Sequence, residues 1–189
     1  MEKNILLGVA ENIRIETERL ILRPVTLEDA EDLYEYASDD EVTKFVFPTH
    51  KSLEETKETI VNFFMTKPLG HYGIEWKETG KMIGTMDYNT IDIHERVSDI
   101  GYTINKNYWR RGVATEALQA LLRIGFEEVG FQRLYAEFDT ENPNSGRVME
   151  KSGMLKVGTF KRSNKYTHEM RLFTEFGLTK AEYFSKKEA

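Results

Sequence analysis

The sequence predicts a mixed α/β fold built around one sheet, on two observations. Helix-like and strand-like runs follow one another in the order strand, two helices, three strands, helix, strand, helix, two strands. Regular βαβ winding would place a helix between every pair of strands, and this order does not. The 189 residues also contain no repeat, low-complexity tract or linker. One domain over 1–189 with a sizeable core is therefore expected.

Glu16 to Val25 reads as a strand, because Leu20 and Leu22 alternate with Arg19, Ile21 and Arg23. Thr26 opens a helix with Glu28 and Asp29 in its first turn, where the helix dipole favours acids. Leu27, Ala30, Leu33, Tyr34 and Ala37 continue it at helical spacing. Ser52-Leu53-Glu54-Glu55 is a capping box for a second helix through Ile60, Phe63 and Phe64. Between the two, Ser38 to Lys51 reads as a mobile, partly aromatic loop with Phe45, Phe47 and Pro48. His71 to Lys77 and Lys81 to Asp92 are strands joined by a hairpin turn at Glu78-Thr79-Gly80. After His94-Glu95-Arg96 comes the strand Val97 to Ile104, in which Gly101 marks a place for a bulge. Thr115 to Val129 is a helix with the apolar stripe Leu118, Leu121, Leu122, Phe126 and Val129, closed by Gly130. Arg133 to Asp139 is a strand with Leu134, Ala136 and Phe138 on one face. Asn142 reads as an N-cap and Pro143 as the first residue of a short helix ending near Gly153. Strands at Lys156 to Lys161 and Tyr166 to Phe173 follow, and the capping box Thr179-Lys180-Ala181-Glu182 starts a short terminal helix.

Composition narrows the function. The chain is 40% hydrophobic and 31% charged, as in soluble globular proteins, and no apolar run approaches the length of a membrane span. Met1 to Gly8 lacks the length and cleavage site of a secretory signal. Absence of cysteine removes disulfides and thiol chemistry and makes a cytoplasmic home the simplest reading. A net charge of −6 argues against general nucleic-acid binding and suits a cationic or amine substrate. His50, His71, His94 and His168 have no ligand spacing, so no metal site is expected. No Gly-Lys-Ser/Thr signature and no nucleophile elbow is present, which disfavours nucleotide hydrolysis and a covalent serine intermediate.

The most informative stretch is Tyr108-Trp109-Arg110-Arg111-Gly112-Val113-Ala114-Thr115-Glu116-Ala117. It sets a basic turn at a helix start, where backbone N–H groups lack partners and the dipole is positive. Such a turn suits a phosphate or pyrophosphate. Gly112 and Ala114 lack bulk, so a ligand can approach the backbone, and Arg110 and Arg111 add two permanent charges.

Three blocks together resemble the GNAT superfamily of acetyl-CoA-dependent N-acetyltransferases. They are Thr17 to Pro24, then Asp99-Ile100-Gly101-Tyr102 with Trp109 to Ala117, then Glu141 to Ser145 with Met149 to Met154. The similarity covers Ile15 to Phe173 and is greatest to the branch of ribosomal-protein N-terminal acetyltransferases and spermidine acetyltransferase. It implies a mostly antiparallel central sheet with flanking helices, a core over 15–173 and a C-terminal extension over 174–189. It also implies that a bulged fourth strand, Val97 to Ile104, splays from the fifth, Arg133 to Asp139. The pantetheine arm of acetyl-CoA would lie in that gap against Tyr102, Thr103 and Ile104, with Asn142 bonding the arm or its neighbours. The pyrophosphate would sit on the amides of Arg111, Gly112, Val113, Ala114 and Thr115, beside Arg110. Trp109 stands where many members have Gln or Arg.

The resemblance also suggests roles. Ser145, or a water, would protonate the leaving thiolate, because Met149 stands where other members carry a tyrosine. The base is open. Asp99 lies where other members carry a glutamate; Glu75 and Asp87 are rivals, and His71 and Tyr72 are outsiders. At pH 7 on the order of a tenth of α-amines are neutral, against about 0.04% of lysine-type amines. With no evident strong base, the reading leans to a protein N-terminal α-amine as acceptor. A polyamine or drug amine, and a non-catalytic acyl-CoA-binding module, are the alternatives. Ser38 to Lys51 and Tyr88 to Val97 are the expected acceptor-facing segments. A homodimer is expected by analogy, with the tail packing on the partner or covering the groove.

Overall fold

The computed structural model describes residues 3–188; Met1, Glu2 and Ala189, the ends of the expected domain, lie outside them. Its strands are Ile15–Glu16 (β1), Leu20–Arg23 (β2), His71–Trp76 (β3), Lys81–Asp92 (β4), Val97–Ile104 (β5), Arg133–Asp139 (β6), Leu155–Ser163 (β7) and Met170–Thr179 (β8). They form one sheet in the order β1-β2-β3-β4-β5-β6-β8-β7. Every neighbouring pair is antiparallel except β5 and β6.

Helices cover both faces. Ile5–Glu11 (α1), Val113–Ile124 (α5), Pro143–Lys151 (α6) and Lys180–Glu188 (α7) pack on one, around Leu118, Leu121, Phe126 and Met149. Ala30–Ala37 (α2), Asp40–Thr43 (α3) and Leu53–Thr59 (α4) pack on the other, around Leu33, Tyr36, Ile60 and Phe64. No helix among the described residues is long and apolar enough to cross a membrane.

Several expectations need correction, each for a local reason. The first strand is split, because Thr17 turns the chain with its N–H on the Leu20 carbonyl and its hydroxyl oxygen accepting from the Leu20 N–H. Ser38 to Lys51 is not a bare loop. Asp39 caps α3 through the Glu41 N–H, Thr49 bridges Thr43 and Asp40, and the His50 N–H bonds the Ala37 carbonyl. α5 starts at Val113, two residues early, and ends in a π-helical turn over Gly125–Val129. β8 begins at Met170, because the Asn164 side chain captures the N–H groups of Tyr166 and Thr167 in a turn. A core boundary at 173 therefore falls inside a strand that pairs with β6 as far as Thr179. The tail turns back on its own domain: the Thr179–Glu182 capping box starts α7, and Tyr183 packs on Phe126 with ring centroids 5.0 Å apart.

α1 is new relative to the sequence reading. Asn4 caps it by accepting from the Leu7 N–H at 3.0 Å, and Ile5 and Val9 enter the core. Gly8 lies flat on the π-helical turn; a Cβ there would stand 2.8 Å from the Val129 Cα, which is backbone and cannot yield. Gly8→Val is therefore expected to cost about 1–3 kcal/mol of stability by overpacking, read as a lower urea midpoint at unchanged slope.

Candidate active site

Pairing between β5 and β6 covers only Val97, Ser98 and Asp99 against Arg133, Leu134 and Tyr135. Beyond Asp99 the two strands part. β5 itself stays in register with β4 at Gly101; the irregularity lies in β4, between Tyr88 and Ile91. Gly101 thus answers a close approach instead of a bulge: a Cβ there would meet the Asn89 Nδ2 at 2.7 Å. The Asn105 N–H bonds the Ile83 carbonyl at 2.8 Å. Antiparallel alternation then turns the N–H and C=O of Tyr102 and Ile104 away from β4, into the opening.

A cavity of about 790 Å³ runs through this opening. Tyr102, Thr103 and Ile104 line it from β5, Asn142, Ser145 and Val148 from α6, and Glu41, Val42 and Val46 from the segment around α3. Because α6 and α3 lie on opposite faces, the cavity connects the two sides of the sheet.

The basic turn forms its floor. Gly112 has φ 77° and caps α5, a left-handed conformation that suits glycine. Arg110 is also left-handed, at φ 62°, which is unfavourable for a side-chain-bearing residue and recurs at functional sites. The turn is held from outside by Arg19, whose Nη1 donates to the Arg111 carbonyl at 3.0 Å. Arg19 is fixed in turn by Glu116, with Nε 2.7 Å and Nη2 2.6 Å from Oε2. Glu116 Oε1 accepts from the Thr17 hydroxyl at 2.6 Å and from the Arg19 N–H at 2.9 Å. Burial works to raise the Glu116 pKa, but these bonds outweigh it and hold the carboxyl below its ordinary range. The guanidinium of Arg19 lies 5.6 Å from the Trp76 ring centroid, and Trp76 packs against Tyr108 at 5.7 Å.

Residues 19–155 match the family profile of the acetyltransferase (GNAT) domain. The chain belongs to the GNAT acetyltransferases. It is 33% identical over 171 residues to the uncharacterized N-acetyltransferase p20 of Bacillus licheniformis, covering 88% of this chain and 96% of that one. It is 25% identical over 115 residues to the ribosomal-protein-serine acetyltransferase of Escherichia coli, covering 60% and 64%. Its backbone matches the GNAT-family acetyltransferase of Bacillus anthracis at a TM-score of 0.81 and 28% identity, covering 89% and 99%. The protein is an acyltransferase of a family that uses acetyl-CoA.

In this GNAT acetyltransferase the expected cofactor residues largely converge. Tyr102, Thr103, Ile104, Trp109, Arg110, Gly112, Val113, Ala114, Thr115, Asn142 and Ser145 all line the cavity. Arg111 does not; its guanidinium lies over Tyr108, 5.3 Å from the ring centroid. The Trp109 indole N–H donates to the Ile104 carbonyl at 2.7 Å, tying the end of β5 to the turn. Asn142 sits at the N-cap, but its side chain makes no capping bond. Met149 is buried in the core. Asp99 is not among the lining residues, and its carboxylate accepts from the Thr90 N–H at 2.8 Å.

One relation was invisible in the sequence. The Tyr102 hydroxyl lies 2.9 Å from Ser145 Oγ and donates to the Ser145 carbonyl at 2.9 Å, across 43 residues of sequence. A tyrosine hydroxyl thus reaches α6 from the strand, although the helix position where other members carry one holds Met149. Burial pushes the Tyr102 pKa well above its ordinary range, so it keeps its proton.

Glu116→Gln removes the charge that holds Arg19. It is expected to cost about 1.5–3 kcal/mol, the range for hydrogen bonds to charged groups. Because the folded carboxyl titrates below its ordinary 4.5, this stabilisation is complete above that pH and fades as pH falls through the folded value. Urea unfolding of both proteins at pH 7 and pH 3 checks it: the difference should shrink at the lower pH.

Proposed function

We propose that this GNAT acetyltransferase moves an acetyl group from acetyl-CoA to the α-amine of a protein N-terminus. The observation that carries the reading is the cavity joining the two faces of the sheet, because donor and acceptor can then meet inside the gap from opposite sides.

The residues present fit the donor. The N–H groups of Val113, Ala114 and Thr115 are the unpaired donors of a helix start, and Gly112 leaves room for a pyrophosphate against them. Arg110, Arg147 and Lys151 line the cavity and supply cations for phosphates. The N–H and C=O of Tyr102 face the gap and can pair with the amides of the pantetheine arm. The Asn142 side chain, with no capping duty, is available to the same arm. When bound, acetyl-CoA supplies an activated acyl group. A backbone N–H of β5 polarises its carbonyl. Ser145, which shares a hydrogen bond with the Tyr102 hydroxyl, would give its proton to the sulfur as the amine displaces it and would regain one from solvent.

Two observations favour an α-amine over a polyamine. Glu41 is the only carboxylate among the residues lining the cavity, whereas a polyamine calls for several. The similarity to the ribosomal-protein-serine acetyltransferase of Escherichia coli points the same way.

The test is CoA release from acetyl-CoA with a free tetrapeptide, its N-blocked twin and spermidine. Release with the free peptide alone supports the reading, and a preference for spermidine overturns the acceptor. Saturable acetyl-CoA binding without any acceptor-dependent release would favour the non-catalytic module. Gly112→Glu sets bulk and negative charge in the pyrophosphate cradle. It should weaken acetyl-CoA binding at least about tenfold by calorimetry. Ser145→Ala should leave that affinity within about twofold and lower kcat about a hundredfold.

A further inference from the structure

The attacking amine must lose a proton, and two of the three carboxylates first considered for this are engaged elsewhere. Asp99 holds the Thr90 N–H, and Glu75 is paired with the Arg23 Nε at 2.5 Å. The Tyr72 hydroxyl donates to the Asn12 carbonyl at 3.0 Å. One acid–base pair is left on the face of α2 and α4. His71 on β3 and Asp87 on β4 stand opposite each other, both buried, with Nδ1 3.0 Å from Oδ1.

Position makes the pair relevant. Asp87 is opposite His71 on one side and opposite Gly101 on the other. Directly opposed residues present the same face, so His71, Asp87 and Gly101 form one row across three strands. That row ends at Gly101, whose neighbour Tyr102 lines the cavity, while His71 and Asp87 stand behind the lining. Two further features lie over it. The rings of Phe63 and Phe64 stand edge-on to His71, at 4.8 and 6.2 Å. Both belong to a π-helical turn, Ile60–Met65, of a kind frequent at functional sites. Phe63 is 44% exposed while touching the imidazole, so only one side chain separates that ring from solvent. On α2, the buried Tyr36 hydroxyl lies near Thr85 and within the electrostatic reach of Asp87.

We propose that His71 is the general base of acetyl transfer and that Asp87 is its positioning residue. This rests on the acyltransferase reading above. Asp87 accepts from Nδ1–H and thereby leaves the lone pair on Nε2. As the nitrogen–carbon bond forms, the amine proton passes through water in the gap to Nε2, because His71 does not itself line the cavity. The carbon–sulfur bond breaks with its electron pair on sulfur, sulfur takes the Ser145 proton, and a proton from solvent replaces it on Ser145. The imidazolium then gives its proton to solvent past Phe63. The titratable groups bearing on the pair are Tyr36 from α2, Tyr72 from β3 and Asp99 from β5; the turn above contributes only Phe63 and Phe64. Burial raises the Asp87 pKa while the bond from His71 opposes it.

Two experiments decide the assignment. The first needs no acceptor: long-range ¹H–¹⁵N spectra of histidine-labelled protein with CoA, at pH 7.5, assigned against His71→Gln. A neutral His71 protonated at Nδ1 is expected; an imidazolium, or a proton on Nε2, overturns the proposal. The second is CoA release with a serine-leading tetrapeptide across pH. His71→Gln should lower kcat about a hundredfold, leave the acetyl-CoA KM within about twofold and lose the acidic limb of the wild-type profile. His71→Ala should regain activity with added imidazole. Wild-type rate and limb in His71→Gln overturn the proposal. A wild-type protein that releases no CoA with the peptide refutes the N-terminal acceptor instead, and the tautomer still decides His71.

Discussion

The site depends on one charge held in one place. Glu116 gathers the Thr17 hydroxyl, the Arg19 N–H and the Arg19 guanidinium, and Arg19 then grips the Arg111 carbonyl. A turn built of two arginines around a left-handed glycine would otherwise spread by mutual repulsion and backbone freedom. The bond from Arg19 fixes a carbonyl on the outer side of the turn, away from the N–H groups of the helix start. Donors aimed at an anion are worth most when no reorganisation is needed on binding. The link joins the turn before β2 to the start of α5, so the basic turn is braced against the sheet.

The second constraint is the parting of β5 and β6. A parallel pair in an otherwise antiparallel sheet needs a long crossover, and here that crossover contains the turn and α5. The same segment that joins the two strands therefore also lines the opening between them. Trp109 closes the arrangement from the strand side through the Ile104 carbonyl, and the Tyr102–Ser145 contact closes it from α6. Ser145 stands on the α6 face and the buried His71–Asp87 pair on the other. That separation keeps the proposed thiol-protonating and amine-deprotonating groups apart.

Features set by local chemistry were legible in the sequence. A glycine after two arginines, ahead of an apolar helical stripe, marks a basic turn at a helix start, and Gly112 is the left-handed N-cap of α5. The three motif blocks located the gap to within a residue or two. What escaped notice depends on partners distant in sequence. α1 has seven residues, too few for periodicity to register, and its helicity is secured by packing on the turn that holds Val129. Tyr166 has strand propensity, but the Asn164 carboxamide takes its N–H and that of Thr167 first. In the sequence, Asp87 and His71 are separate candidates for the base; only the strand register sets them opposite each other under Phe63 and Phe64.

The placement of aromatic residues around the turn has an optical consequence. The chain holds two tryptophans, Trp76 and Trp109. One is stacked between Arg19 and Tyr108, and the other is pinned to Ile104 at the mouth of the gap. Indole emission from this protein therefore originates almost wholly at the basic turn and the mouth of the gap. The molecule carries its own fluorophores at the proposed acetyl-CoA site, so intrinsic fluorescence can follow occupancy there without any attached label.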